Sequence, residues 1–165
     1  MNLLPLENII YETQLAPAEI QARLAEVIEP LKYFRKKDGL SNKNLKAYQG
    51  WLSEDSFEVS RLITYRNSFL PQINGTIQKY SGGTKVFLKI SLHPAILIFV
   101  LLIFGVLFLM CLVVLVSLDS KPFEWVMLGP FGMFLFLATI VIGAFNAESQ
   151  KSKKFFAELF EAEAT

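Results

Sequence analysis

At 165 residues with a net charge of +1, the chain has room for about one domain and no global basic surface to draw it to nucleic acid. Its 53% apolar content, rich in phenylalanine, is high for a soluble domain of this length. The lone Cys111 and the lone His93 exclude an internal disulfide and a thiolate or imidazole metal cluster within one chain, and no motif asks for a cofactor.

In chain order, "MNLLPLENIIYETQ" places Pro5, Glu7 and Glu12 where the apolar core of a cleaved signal would stand, so no cleavage is expected. The stretch "APAEIQARLAEVIEP" predicts an amphipathic helix with Ile20, Leu24, Val27 and Ile28 on one stripe, Pro17 near its start and Pro30 at its end. It is followed by "LKYFRKKDGLSNKNLK", where Lys32, Arg35, Lys36, Lys37, Lys43 and Lys46 face only Asp38. Two readings stay open for that segment. It is a solvated loop, or it lies on an anionic leaflet, where each such charge contributes about 1 kcal/mol and Tyr33 and Phe34 dip into the interface.

Residues 46–93 carry period-two alternation. "FEVSRLITY" sets Phe57, Val59, Arg61, Ile63 and Tyr65 against Glu58, Ser60, Leu62 and Thr64, and "KVFLKISL" sets Val86, Leu88, Ile90 and Leu92 against Phe87, Lys89 and Ser91. With "AYQGWL" before "SEDS" and "INGTIQKY" before "SGG", the pattern predicts two hairpins joined into a four-stranded antiparallel meander. The connection "YRNSFLPQINGT" reads as a corner in which Asn67 and Ser68 bond neighbouring backbone, Pro71 turns the chain and Gly75 permits a bulge or close approach. The alternative is a loop in which Arg66, Asn67 and backbone amides hold an anion or a lipid headgroup.

Two uncharged runs follow, from Pro94 to Leu118 and from Trp125 to Ala147. Each is long enough, at about 1.5 Å per helical residue, to cross a hydrocarbon core of roughly 30 Å. Lysines and arginines flank the outer ends of the pair, whereas "DSKPFEW" between the runs has only Lys121 against Asp119 and Glu124. The bias puts both termini on the cytoplasmic side. Neither run contains an ionisable side chain for a proton relay or ion coupling. In the second, Pro130 is an early helical position or a kink, and Thr139 and Gly143 form a small-residue pair that would let Gly105 of the first helix approach. The same residues leave self-association into a homo-oligomer open. Finally, "KSKKFFAELFEAEA" predicts a helix with Phe155, Phe156, Leu159 and Phe160 on one stripe.

The order "GW", "F-V-R-I-YRNSF-P-I-G-I", "GTKVFLKISLHP" and an apolar span resembles a set of uncharacterised small bacterial two-helix inner-membrane proteins, over roughly residues 48–100. A fold-level similarity to membrane-tethered pleckstrin-homology-like modules accompanies it. The resemblance implies a bacterial inner-membrane location and a recurring loop, and implies no activity or catalytic residues.

The expected fold is membrane α+β: a two-helix transmembrane hairpin with a cytoplasmic antiparallel β-meander covered by terminal amphipathic helices. Its parts are an N-terminal helix and basic segment (1–45), the sheet (46–93), the first span (94–118), an external loop (119–124), the second span (125–147) and a C-terminal helix (148–165). No nucleophile elbow, phosphate-cradling loop or HExxH occurs, so the expected function is non-enzymatic binding of a partner protein or an anionic lipid headgroup. The alternative is a subunit of an oligomeric pore or an accessory subunit of a transporter.

Overall fold

A computed structural model of the protein describes residues 5–31, 46–63, 67–117 and 124–162. They form β1 (Leu6–Thr13), α1 (Pro17–Val27), β2 (Ile28–Pro30), β3 (Tyr48–Leu52), β4 (Ser56–Arg61), β5 (Pro71–Tyr80), β6 (Gly83–Leu92), α2 (Pro94–Ser117), a 3-10 turn (Trp125–Leu128) and α3 (Gly129–Leu159). The predicted meander is β3 to β6, and the sheet is wider than four strands. Its order is β1-β6-β5-β4-β3-β2, with β1 antiparallel to β6 and the three-residue β2 parallel to β3.

Both additional strands fall where the sequence reading placed other structure. Ile28 completes the apolar stripe of α1 but turns into strand at its C-cap, and Pro30 pairs with Gly50 instead of closing the helix. In β1, Ile9, Tyr11 and Thr13 are buried while Ile10 and Glu12 are exposed, an alternation blurred by the adjacent isoleucines.

The predicted corner at residues 65–76 is also shorter than expected, because β5 begins at Pro71, where a strand's first position tolerates the missing N–H. Gly75 is therefore a strand residue, opposite Phe57 of β4; a Cβ there would come within 2.1 Å of the Phe57 ring. This is the close approach that its lack of a side chain permits. At the β5–β6 turn Gly83 has φ of 136°, a conformation that favours glycine.

Strand alternation gives the sheet one buried face. Ile9, Tyr11, Tyr48, Phe57, Val59, Ile73, Ile77, Val86, Leu88 and Ile90 point into a core closed by Ile20 and Leu24 of α1 and by Phe145, Phe156 and Phe160 at the α3 end. The separate C-terminal helix expected at 148–165 does not exist as such. Instead, α3 runs unbroken through Ala147, and Phe145, Ser149, Ser152, Phe156 and Phe160 form one buried stripe at helical spacing. Serines at 149 and 152 let the helix lie close to the sheet between two phenylalanine anchors. Pro130 occupies the first turn of α3, after the 3-10 turn, where its missing N–H costs nothing.

α2 and α3 are both long and apolar enough to cross a membrane. They meet along Val100, Phe104, Leu107 and Cys111 of α2, with Phe104 edge-on to Phe134 at 5.0 Å. The expected small-residue approach is not where they touch: a Cβ added at Gly105 or Gly143 would meet nothing within 4 Å, and the exposed Thr139 hydroxyl donates to its own helix at Leu135 O. Aromatic and aliphatic side chains fill the seam, and Gly105 lies off it on the exposed side of α2.

Candidate functional site

The sheet's second face has no helix on it among the described residues. The residues that alternate with the core there are Gln49 and Trp51 of β3, Glu58 and Ser60 of β4, and Gln72 of β5. Together with Asn67, Ser68 and His93 they line a groove of about 460 Å³ at the end of the sheet nearest α2. Trp51 is 46% exposed; it sits opposite Glu58 in register, and its indole N–H donates to Glu58 Oε2 at 3.2 Å. Exposure of so large an amphipathic side chain is characteristic of contact surfaces.

The rim is held by local chemistry. Asn67 Oδ1 accepts the Phe69 N–H at 2.9 Å and Asn67 O accepts the Leu70 N–H at 3.3 Å, an Asx turn that delivers the chain to Pro71. His93 Nδ1 accepts the Ala95 N–H at 3.3 Å at the start of α2. The groove thus offers amides, hydroxyls, one indole, one imidazole and one carboxylate. Such a set forms hydrogen bonds and apolar contacts with an extended segment; no group of three or more His, Cys, Asp or Glu side chains among the described residues could hold a metal.

The opposite, buried face carries a second polar cluster, where α3 reaches the sheet. The Glu148 side chain is 5% exposed and takes Arg61 Nη1 and Lys151 Nζ at 2.8 Å each. Across the sheet, Glu7 of β1 accepts Lys153 Nζ at 2.5 Å and the Ser149 hydroxyl at 2.7 Å. Burial pushes the Glu7 carboxyl up, but the bonds from Lys153 and Ser149 outweigh it and hold the group below its ordinary value. The Tyr11 hydroxyl donates to Lys153 O at 3.0 Å, and burial with the nearby Glu7 charge pushes it up to about 12. These groups clamp the strands to the helix.

No family model, curated protein or solved structure matches this chain.

Of the residues singled out in the sequence, Asn67 lines the groove. Lys32, Arg35, Lys36, Lys37 and Arg66 lie outside the described residues. Gly105, Thr139 and Gly143 are remote from the groove, on the apolar helices. Trp51, Glu58, Ser60, Gln72 and His93 were not singled out as a site. The alternation had already put Glu58 and Ser60 on the face opposite Phe57 and Val59, but only the docking of both helices on one side identifies the other as open.

Proposed function

We propose that this protein is a membrane-anchored, non-enzymatic binding module. In this reading α2 and the apolar part of α3 cross a bacterial inner membrane, the sheet stands on the cytoplasmic side, and its open face receives a segment of a partner protein. The observation that carries it is the combination of two helices whose apolar surface is uncovered with a helix, α3, that continues from that surface into the core of the sheet. In their most apolar stretches only 17% and 6% of the residues are buried, which a core helix of a water-soluble fold does not tolerate. Leu101, Leu102, Leu109, Val113, Leu135 and Phe136 are all more than 60% exposed.

The orientation follows from charge. Lys79, Lys85 and Lys89 on the sheet and Lys151, Lys153 and Lys154 on α3 stand on the same side of the apolar helices, because the end of α3 packs on the sheet. In a Cys111→Ala background, Glu124→Cys is expected to react with an impermeant maleimide added to intact cells, and Lys154→Cys only after permeabilisation; the reverse pattern would defeat the proposed orientation.

The groove is tested by placing a photo-crosslinking amino acid at Gln72 in native membranes. A discrete protein adduct is expected, and Trp51→Ala should weaken partner binding about thirtyfold, corresponding to a loss of about 2 kcal/mol. With Trp51 nearly half exposed, that variant retains its fold. An adduct indifferent to Trp51, or one formed equally from Gln78 at the far end of β5, would refute the groove as the contact.

A further inference from the structure

A second cavity, of about 410 Å³, lies at the junction between the sheet and α2, lined by Pro5, Leu6, Lys89, Ser91, Pro94 and Leu97. Lys89 and Ser91 belong to the open-face set of β6. In register Lys89 stands between Asn8 of β1 and Asn74 of β5, two neutral amides. The acids of β1 are occupied elsewhere: Glu7 turns to the buried face and binds Lys153, and Glu12 pairs with Lys85 at 2.8 Å. Lys89 is exposed, and no described residue forms an ion pair with it.

The same cavity that exposes this cation and the Ser91 hydroxyl is walled by Leu6, 44% exposed, and by Leu97 in the first turn of α2. Beyond Leu97 the apolar surface continues without interruption through Ile98, Leu101 and Leu102, all exposed. A cation, amides and a hydroxyl at one end and a strip of hydrocarbon leading away from them match a molecule with an anionic head and an acyl tail. The geometry points to a binding site for one anionic phospholipid, its phosphate at Lys89 and Ser91 with Asn8 and Asn74 beside it, and an acyl chain along Leu97 and Leu101. This rests on the membrane reading above and adds to it a defined ligand class and residues.

The full-length protein, reconstituted in bilayers of phosphatidylcholine with a minor fraction of phosphatidylglycerol, is examined by native mass spectrometry for retained lipid. Selective retention of one phosphatidylglycerol is expected. Lys89→Ala should lower that retention about fivefold, the effect of one cation at an anionic surface. Lys89→Arg should keep it, and Lys79→Ala, at the opposite end of the sheet, should leave it unchanged. Retention of the two lipids in proportion to their share of the bilayer, or equal losses from Lys79→Ala and Lys89→Ala, would overturn the site. Displacement of the lipid by excess glycerol phosphate would reassign the site to a free phosphate and overturn the lipid assignment. Alkaline carbonate extraction separates the two levels: release of the wild type would defeat the membrane reading, whereas a retained chain with an indifferent Lys89 defeats only the lipid site.

Discussion

Replacing Phe156 with alanine is expected to cost the sheet–helix unit about 3–5 kcal/mol, a large part of the stability of an ordinary domain. Phe156 is fully buried, and its ring lies 5.1 Å from Tyr48, 5.9 Å from Phe57, 5.6 Å from Phe160 and 5.6 Å from Phe155, measured between centroids. Phe57 in turn fills the space left by Gly75, so the cluster has no flexible side chain that could slide into the vacancy. The cavity would remain open, and its lining would lose dispersion contacts as well as buried area. Phe155, one position earlier and only partly buried, provides the comparison. Its alanine variant should cost about 1–2 kcal/mol by area alone. Limited proteolysis and Trp51 fluorescence during thermal unfolding in detergent would measure both. Equal effects at 155 and 156 would mean that α3 does not close the core as described.

That cluster also shows where sequence reasoning succeeds and where it stops. The aromatic stripe at 155, 156, 159 and 160 was legible because four large residues at helical spacing have one explanation. Its continuity with the apolar helix was not. "AESQKSKK" looks like a polar interruption, and only contact with the sheet reveals Ser149 and Ser152 as small residues on a buried stripe and Glu148 as an ion-pair partner. The meander was readable from alternation that runs cleanly through β4 and β6, including the inward placement of Arg61. In contrast, β1 was hidden. An inward-facing glutamate at position 7 contradicts a buried strand unless a lysine and a serine some 140 residues away meet it. Long-range pairing of this kind leaves no local signal. The groove was partly legible for the same reason: residue parity divides the sheet into two faces, while the docking of α1 and α3 decides which of them stays open.

The second large effect is expected at Arg61, and here pairs of substitutions separate electrostatics from packing. Arg61→Ala removes from Glu148 a well-shielded partner, whereas Lys151, also bound to it, has a side chain 53% exposed. Breaking a buried ion pair from one side costs about 3–5 kcal/mol, and compensation by the contacts that Glu148 keeps, Lys151 among them, reduces the expected loss to about 2–3 kcal/mol. Lys151→Ala should cost under about 1 kcal/mol, because its ammonium stands half in water and Arg61 still neutralises the buried Glu148 carboxylate. If the loss at Arg61 is the cost of an undercompensated buried charge, removing that charge must restore stability. The double variant Arg61→Met with Glu148→Leu, which replaces the pair by apolar groups of similar size, should therefore return to within about 1 kcal/mol of the wild type. Were the losses of the single variants Arg61→Met and Glu148→Leu simply to add in the double variant, the ion pair would not be what joins β4 to α3, and packing of the Arg61 stem against the helix would have to account for the effect instead.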